Sequence, residues 1–150
     1  LHQLMDMRQM MEPKAAGWAA KHGTDAQHAD IEAAQIRMEE ESHSIEDFVV
    51  ADALFHRAIL RAANNEILLS MEGVIFSALL SSIRLTNRDP RENVSSIPFH
   101  RKVLDAIKAR DHKQAEKMMN DHLSDTSQRL KSVLGETAGG VISNGESRTD

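Results

Sequence analysis

The chain has 150 residues, 41% of them hydrophobic and 27% charged, enough for one domain with a real core. Lys and Arg total 18 against 23 Asp and Glu, a formal charge of −5 that argues against nucleic-acid binding by this chain alone. There is no apolar run of roughly 18 residues, no charged-then-apolar leader and no cysteine, so no membrane span, signal peptide, disulfide or thiolate chemistry is expected, and a soluble, cytoplasmic protein is.

Residues 1–21 form the first predicted helix, with Leu1, Leu4, Met5, Met11, Ala15 and Trp18 near helical spacing and an interruption at Pro13. Gly23 stops it, and Thr24-Asp25 caps a second helix over about 25–41, whose charged end Glu39-Glu40-Glu41 reads as solvated. Ser44 caps a third helix that Asn64-Asn65 breaks. A strongly apolar fourth helix spans 66–85. Residues 87–98 hold two of the three prolines and read as a loop with at most a short helical turn. A fifth helix spans 99–110, Asp111 caps a sixth to about Leu134, and the Gly-, Ser- and Asn-rich 137–150 reads as a disordered tail. Short connections make neighbours antiparallel, so the prediction is an all-α antiparallel bundle of six to seven helices over residues 1–136.

Eight histidines in a chain without cysteine invite a closer look. On the third helix the inward stripe runs 45, 48, 49, 52, 55, 56, 59, 63, and two of its places hold Asp52 and His56, one turn apart. His100 joins Val103, Leu104 and Ile107 on the fifth helix, and His122 joins Ala115, Met118 and Met119 on the sixth. Each alone reads most simply as a hydrogen-bonded pair or a satisfied core histidine. Four such residues on three inward stripes point instead to one cation, because buried carboxylates and imidazoles all need partners. His2, His22, His28, His43 and His112 lie at helix ends or on mixed faces and read as surface residues.

The stretch Asp52-Ala53-Leu54-Phe55-His56 with Ala62-Ala63-Asn64-Asn65-Glu66-Ile67-Leu68 resembles the D-x-x-F-H…A-x-G-N-x-x-L segment of the ligand-sensing, FCD-type C-terminal domains of FadR-subfamily GntR transcription regulators. His100 to Ile107, then Asp111, Ala115 and Met119-Asn120-Asp121-His122-Leu123, is similar to that family's H-x-x-x-x-x-A-I…D…A…H-L segment. Residues 7–20, with Arg8, Glu12-Pro13 and Ala15-Ala16, resemble its first helix. The likeness runs from Leu4 to Leu134. Asn64 stands where the family often has Gly, and Asp6 where it usually has Glu.

The resemblance implies Asp52, His56, His100 and His122 as ligands of one divalent transition metal ion, Zn, Ni, Mn or Fe, with Zn or Ni favoured. It implies a small carboxylate effector, a sugar acid such as galactonate favoured, and a homodimer acting on operator DNA through an N-terminal winged helix-turn-helix that this chain, starting at Leu1, does not include. Arg8 is either an effector clamp or a structural salt bridge to Asp52, Glu12 or another acid. Ser77, Ser81 and Arg84 share a face of the fourth helix and are candidate cavity lining, though serines there also permit close helix approach. Asn65 matches the family's Asn but fits a cap better than a ligand contact. Core filling explains most methionines, those on outward faces of the first and fourth helices being candidates for a dimer face. A helical metalloenzyme doing hydrolytic or oxidative chemistry is the alternative, weakened because no further acid or His on the inner stripes offers a general base. A purely structural polar core is the third reading.

Overall fold

Capping chemistry sets most helix ends in the computed structural model, which describes residues 2–139. Seven helices occupy them, with no strand among the described residues: α1 (His2–His22), α2 (Asp25–Glu40), α3 (Ile45–Ala62), α4 (Glu66–Ser70), α5 (Glu72–Thr86), α6 (Pro90–Lys108) and α7 (His112–Gly139). Thr24 and Gln27 form a reciprocal capping box at α2, and the Ser44 hydroxyl accepts from the Asp47 amide at α3. Asn64 takes a left-handed φ of 50° between α3 and α4. Its side chain is held by the His22 carbonyl and by a two-way amide pair with Gln27, so Asn serves where a Gly is expected.

Four expectations about the helices need correction. The region 87–98 is mostly helix: Asp89 accepts from the Arg91 amide, Pro90 occupies the first turn, and α6 runs through Pro98. Proline lacks only a donor that the first turn leaves unpaired anyway, so Asp-Pro is a helix start rather than loop content. The fourth predicted helix is two, α4 and α5, parted at Met71. Pro13 does not interrupt α1, which continues through it. At the C-terminus α7 extends to Gly139, past the predicted boundary at 136, and the remainder of the predicted tail, 140–150, lies outside the described residues.

The core is built where small residues let helices approach. Ala15, Ala16, Ala19 and Ala20 on α1 are fully buried, and a side chain at Gly17 would meet Glu116 of α7, at 2.6 Å from Oε1. Phe48, Val49, Phe55 and Ile59 of α3 meet Leu79 and Ile83 of α5, Val103, Leu104 and Ile107 of α6, and Met119 and Leu123 of α7 in one cluster. α3 is thereby central, with α1, α2 and α5 against it and α6 and α7 pairing across the bundle. His28, expected at the surface, is buried, and its Nε2 donates to the Ala19 carbonyl at 2.8 Å, satisfying the end of α1. His2, His22, His43 and His112 are exposed as expected. No described helix is long and apolar enough to cross a membrane.

Candidate metal centre

Three helices send four polar side chains into one buried point. Asp52 and His56 come from α3, His100 from α6 and His122 from α7, none more than 4% exposed. The three imidazoles bring nitrogens within 4.8 Å of one another. Their ring centroids lie 4.1 Å apart for His100 and His122, 5.4 Å for His56 and His122, and 5.6 Å for His56 and His100. Phe55 packs edge-on against both His56 and His100. Asp52 Oδ1 lies 3.2 Å from His56 Nε2 and 3.1 Å from His100 Nε2.

Outer partners decide which atoms face inward. The Ser96 carbonyl, 2.9 Å from His100 Nδ1, can only accept, so that nitrogen carries a proton and, in the neutral ring, Nε2 presents its lone pair to the centre. Glu12 Oε2 sits 2.6 Å from His56 Nδ1, an ion-pair approach out of line for a hydrogen bond, and it favours the proton on that side too. Asn87 Nδ2 donates to Asp52 Oδ2 at 2.8 Å, leaving Oδ1 for the centre. The Nε2 atoms of His56 and His100 thus converge on Asp52 Oδ1 at hydrogen-bond distance, an arrangement that needs positive charge, a proton or a metal ion, between them. His122 Nδ1 is buried without a hydrogen-bond partner among the described residues. The donor set therefore fits a divalent ion, and oriented imidazoles with occupied far sides are how protein metal sites are held.

The charges respond to this crowding. Burial pushes the Asp52 carboxyl up, but His100 and His56 outweigh it and hold it well below the usual range. Burial likewise works against Glu12, which Arg8 and His56 bring down to about 2. For His56, burial lowers the pKa, yet Glu12 and Asp52 prevail and raise it. His122 is held well below its ordinary value by burial, with His100 and His56 adding to it, and stays neutral.

Arg8 reaches this centre from α1, fully buried. Its Nε donates to Glu12 Oε1 at 2.6 Å and its Nη1 to Ser82 Oγ at 3.4 Å, while Nη2 lies 3.4 Å from both Glu12 Oε2 and His56 Nε2. The salt bridge to Glu12 is thus present, with one face of the guanidinium still toward the imidazoles. Glu12 corrects the expectation that no further acid lies on an inner stripe. It falls one turn from Arg8, but its low pKa and its tie to Arg8 make it a poor general base. Ser77, Ser81 and Arg84 are not brought to the site: all three are exposed, the serines bonding back to Gly73 and Ser77 carbonyls and Arg84 facing Glu46 at 3.7 Å. Ser82, one position on, is the buried hydroxyl instead. Asn65 caps α4, accepting from the Ile67 and Leu68 amides. Besides Glu12, sequence reasoning missed Ser82, Asn87, Asn93 and Ser96, all buried polar residues on α5, α6 or the turn between them.

Comparison with known proteins gives a consistent picture. Residues 3–125 match the model of the FCD domain. The galactonate operon transcriptional repressor of Escherichia coli (strain K12) is 28% identical over 131 residues, 87% of this chain and 57% of the repressor. The HTH-type transcriptional repressor NanR of Salmonella newport (strain SL254) is 29% identical over 126 residues, 81% of this chain and 47% of that protein. The chain spans about half the length of these curated relatives. Among solved structures, E. coli McbR/YncC superposes with a TM-score of 0.76 at 18% identity, covering 89% of this chain and 65% of that one, a likeness of fold.

Proposed function

The chain belongs to the FCD domain family, and on that footing we propose that it is the effector-binding domain of a GntR-type transcription regulator, sensing a small organic acid at a bound divalent metal. The observation that supports this most is the meeting of His56 Nε2, His100 Nε2 and Asp52 Oδ1 at 3.1 to 3.2 Å, with the far sides of His100 and Asp52 hydrogen-bonded and that of His56 facing Glu12. Asp52, His56, His100 and His122 would hold the ion, an imidazole-rich set that suits zinc or nickel. When bound, the ion supplies a Lewis-acidic centre for a carboxylate and its adjacent hydroxyl.

Charge balance favours an anionic ligand. With neutral imidazoles, Arg8, Glu12 and Asp52 leave one net negative charge in the core; a dication makes it one net positive, and a single carboxylate neutralises it. Arg8 would then hold the effector carboxylate with the Nη2 edge that faces His56, while Glu12 fixes the guanidinium and the far side of the imidazole. The relative named for the galactonate operon makes a sugar acid the favoured effector.

Because the ligands come from α3, α6 and α7 and Arg8 from α1, an acid bound among them draws on four helices at once and can bias their arrangement. In the intact regulator that bias would pass to an N-terminal winged helix-turn-helix on operator DNA. The active species would be a homodimer, and its partner copy would cover the outward apolar Ile67, Met71 and Val74 near the start of α5, which are 49% to 75% exposed. The metalloenzyme alternative is not favoured: the relatives are transcription regulators, and Glu12 is a poor base.

Metal analysis of the purified chain, with a thermal-shift series of organic acids in the presence and absence of chelator, tests this reading. About one divalent ion per chain is expected, lost in the Asp52→Ala, His56→Ala double variant, with acids stabilising only the metal-loaded protein. An ion retained by that variant, or acids that stabilise equally in chelator, would overturn it.

A further inference from the structure

The polar interior continues past the imidazoles toward one end of the bundle. Ser96 and Asn93 lie one and two turns before His100 on α6, and Thr126 and Arg129 lie one and two turns after His122 on α7. A tight turn at 109–111 makes these helices antiparallel, and the His100 and His122 rings are 4.1 Å apart. Asn93 and Arg129 therefore fall at one level, about 10 Å along the bundle from the imidazoles.

Their hydrogen bonds set them apart from the residues between. Ser96 and Thr126 are satisfied within their own helices, by the Asn93 and His122 carbonyls. Asn93 is fully buried, yet neither its amide oxygen nor its amide nitrogen has a partner among the described residues. Arg129 commits Nε to Asp125 at 3.0 Å and Nη2 to Thr126 Oγ1 at 3.4 Å, while its buried Nη1 has none. Buried amides are normally paired, so this level holds an unused acceptor and unused donors, the complement of hydroxyl groups.

Resting on the effector reading above, we propose that Asn93 and Arg129 Nη1 form a second subsite that reads the hydroxyls at the far end of an extended acid whose carboxylate lies at the metal centre. The span selects the ligand class. A six-carbon chain reaches roughly 6 Å, and a metal–oxygen bond of about 2 Å with a hydrogen bond of about 3 Å brings the total near 11 Å. A polyhydroxylated acid of six carbons bridges the two levels, whereas a two- or three-carbon hydroxy acid engages only the metal end.

Isothermal titration of the metal-loaded full chain with galactonate and with glycolate tests this, using the Asn93→Leu and Arg129→Gln variants. Asn93→Leu replaces the unpaired buried amide with an apolar side chain of the same branching, and its thermal midpoint, measured beside the parent's, checks that it folds. Each variant is expected to weaken galactonate binding tenfold or more while leaving glycolate affinity and metal content unchanged. Equal weakening of both acids, or unchanged galactonate binding, would overturn the subsite and leave the effector reading standing. Binding of neither acid by the unaltered metal-loaded chain would remove the effector reading and the subsite with it.

Discussion

Asp52→Asn separates a metal ligand from a structural carboxylate because the two roles predict opposite signs. In the parent without metal, and with both rings neutral, Oδ1 faces the Nε2 lone pairs of His56 and His100 at 3.2 and 3.1 Å. An asparagine can keep its oxygen toward Asn87 and turn its NH2 toward those lone pairs, replacing repulsion with at least one hydrogen bond. With chelator, and at a pH alkaline enough that no imidazole carries a charge, the variant should therefore be more stable than the parent by about 1 kcal/mol, or roughly 2–4 °C in Tm for a chain of this size. With metal the order reverses. Free ion at about 1,000 times Kd stabilises the parent by about 4 kcal/mol, roughly 8–16 °C. Loss of the anionic ligand should cost at least about 100-fold in affinity, some 2.7 kcal/mol, leaving the variant a gain near 1.4 kcal/mol at the same ion concentration. Differential scanning calorimetry of both proteins, each with chelator and with zinc, reads all four values. A variant less stable than the parent in chelator, or one with an undiminished gain in zinc, would refute the convergence of lone pairs on a cation.

Glu12→Gln should cost about 3–5 kcal/mol by urea unfolding, because it strips the buried Arg8 of its 2.6 Å partner. Arg8→Met in the same chain should restore much of that loss, and additive losses in the double variant would show that the two do not act as a pair. Pro98→Ala should stabilise by roughly 1–3 kcal/mol, since it returns an N–H to the interior of α6 and relieves the clash with the preceding turn; an unchanged midpoint would mean that the segment does not form a continuous helix. Glu72, bonded to Arg57 and Arg61, has its pKa lowered chiefly by the Arg57 hydrogen bond, against partial burial, with Arg61 adding to it. Its folded value lies below its unfolded one, so its contribution is present above the ordinary carboxylate range and disappears as pH falls through the lowered value. The stability difference between the parent and Glu72→Gln should accordingly be measurable at pH 7 and shrink toward pH 3; a difference independent of pH would exclude the linkage.

The contrast between what the sequence revealed and what it concealed has a physical cause. Asp52, His56, His100 and His122 were legible because each interrupts a stripe of strong apolar neighbours, where a polar residue stands out at 3.6-residue spacing. α5 has no such contrast: it is apolar on both faces, with Val74 75% exposed and Leu79 fully buried. Its inner face could be assigned to Ser77, Ser81 and Arg84 when tertiary packing chose Ile75, Leu79, Ser82, Ile83 and Thr86. The break at Met71 compounds this, because the phase of α5 is not continuous with that of α4. In α6 the error was one of punctuation: reading Asp89-Pro90 and Pro98 as loop concealed the two turns that carry Asn93 and Ser96.

These misses share a property. Ser82, Asn87 and Asn93 hold or extend the centre rather than line an apolar stripe, and their burial follows from how helices meet, which periodicity within one helix cannot show, whereas Glu12 lies one turn from Arg8 on the same inward stripe. Metal ligands need only point inward, whereas the residues that would discriminate one acid from another must sit at a set distance from the ion, on elements whose register is decided by packing. The imidazole and carboxylate cluster is therefore readable from the sequence of a single chain, while the proposed reading of an effector's length and hydroxyls falls to Asn93 and Arg129, positions that only the pairing of α6 with α7 brings to one level.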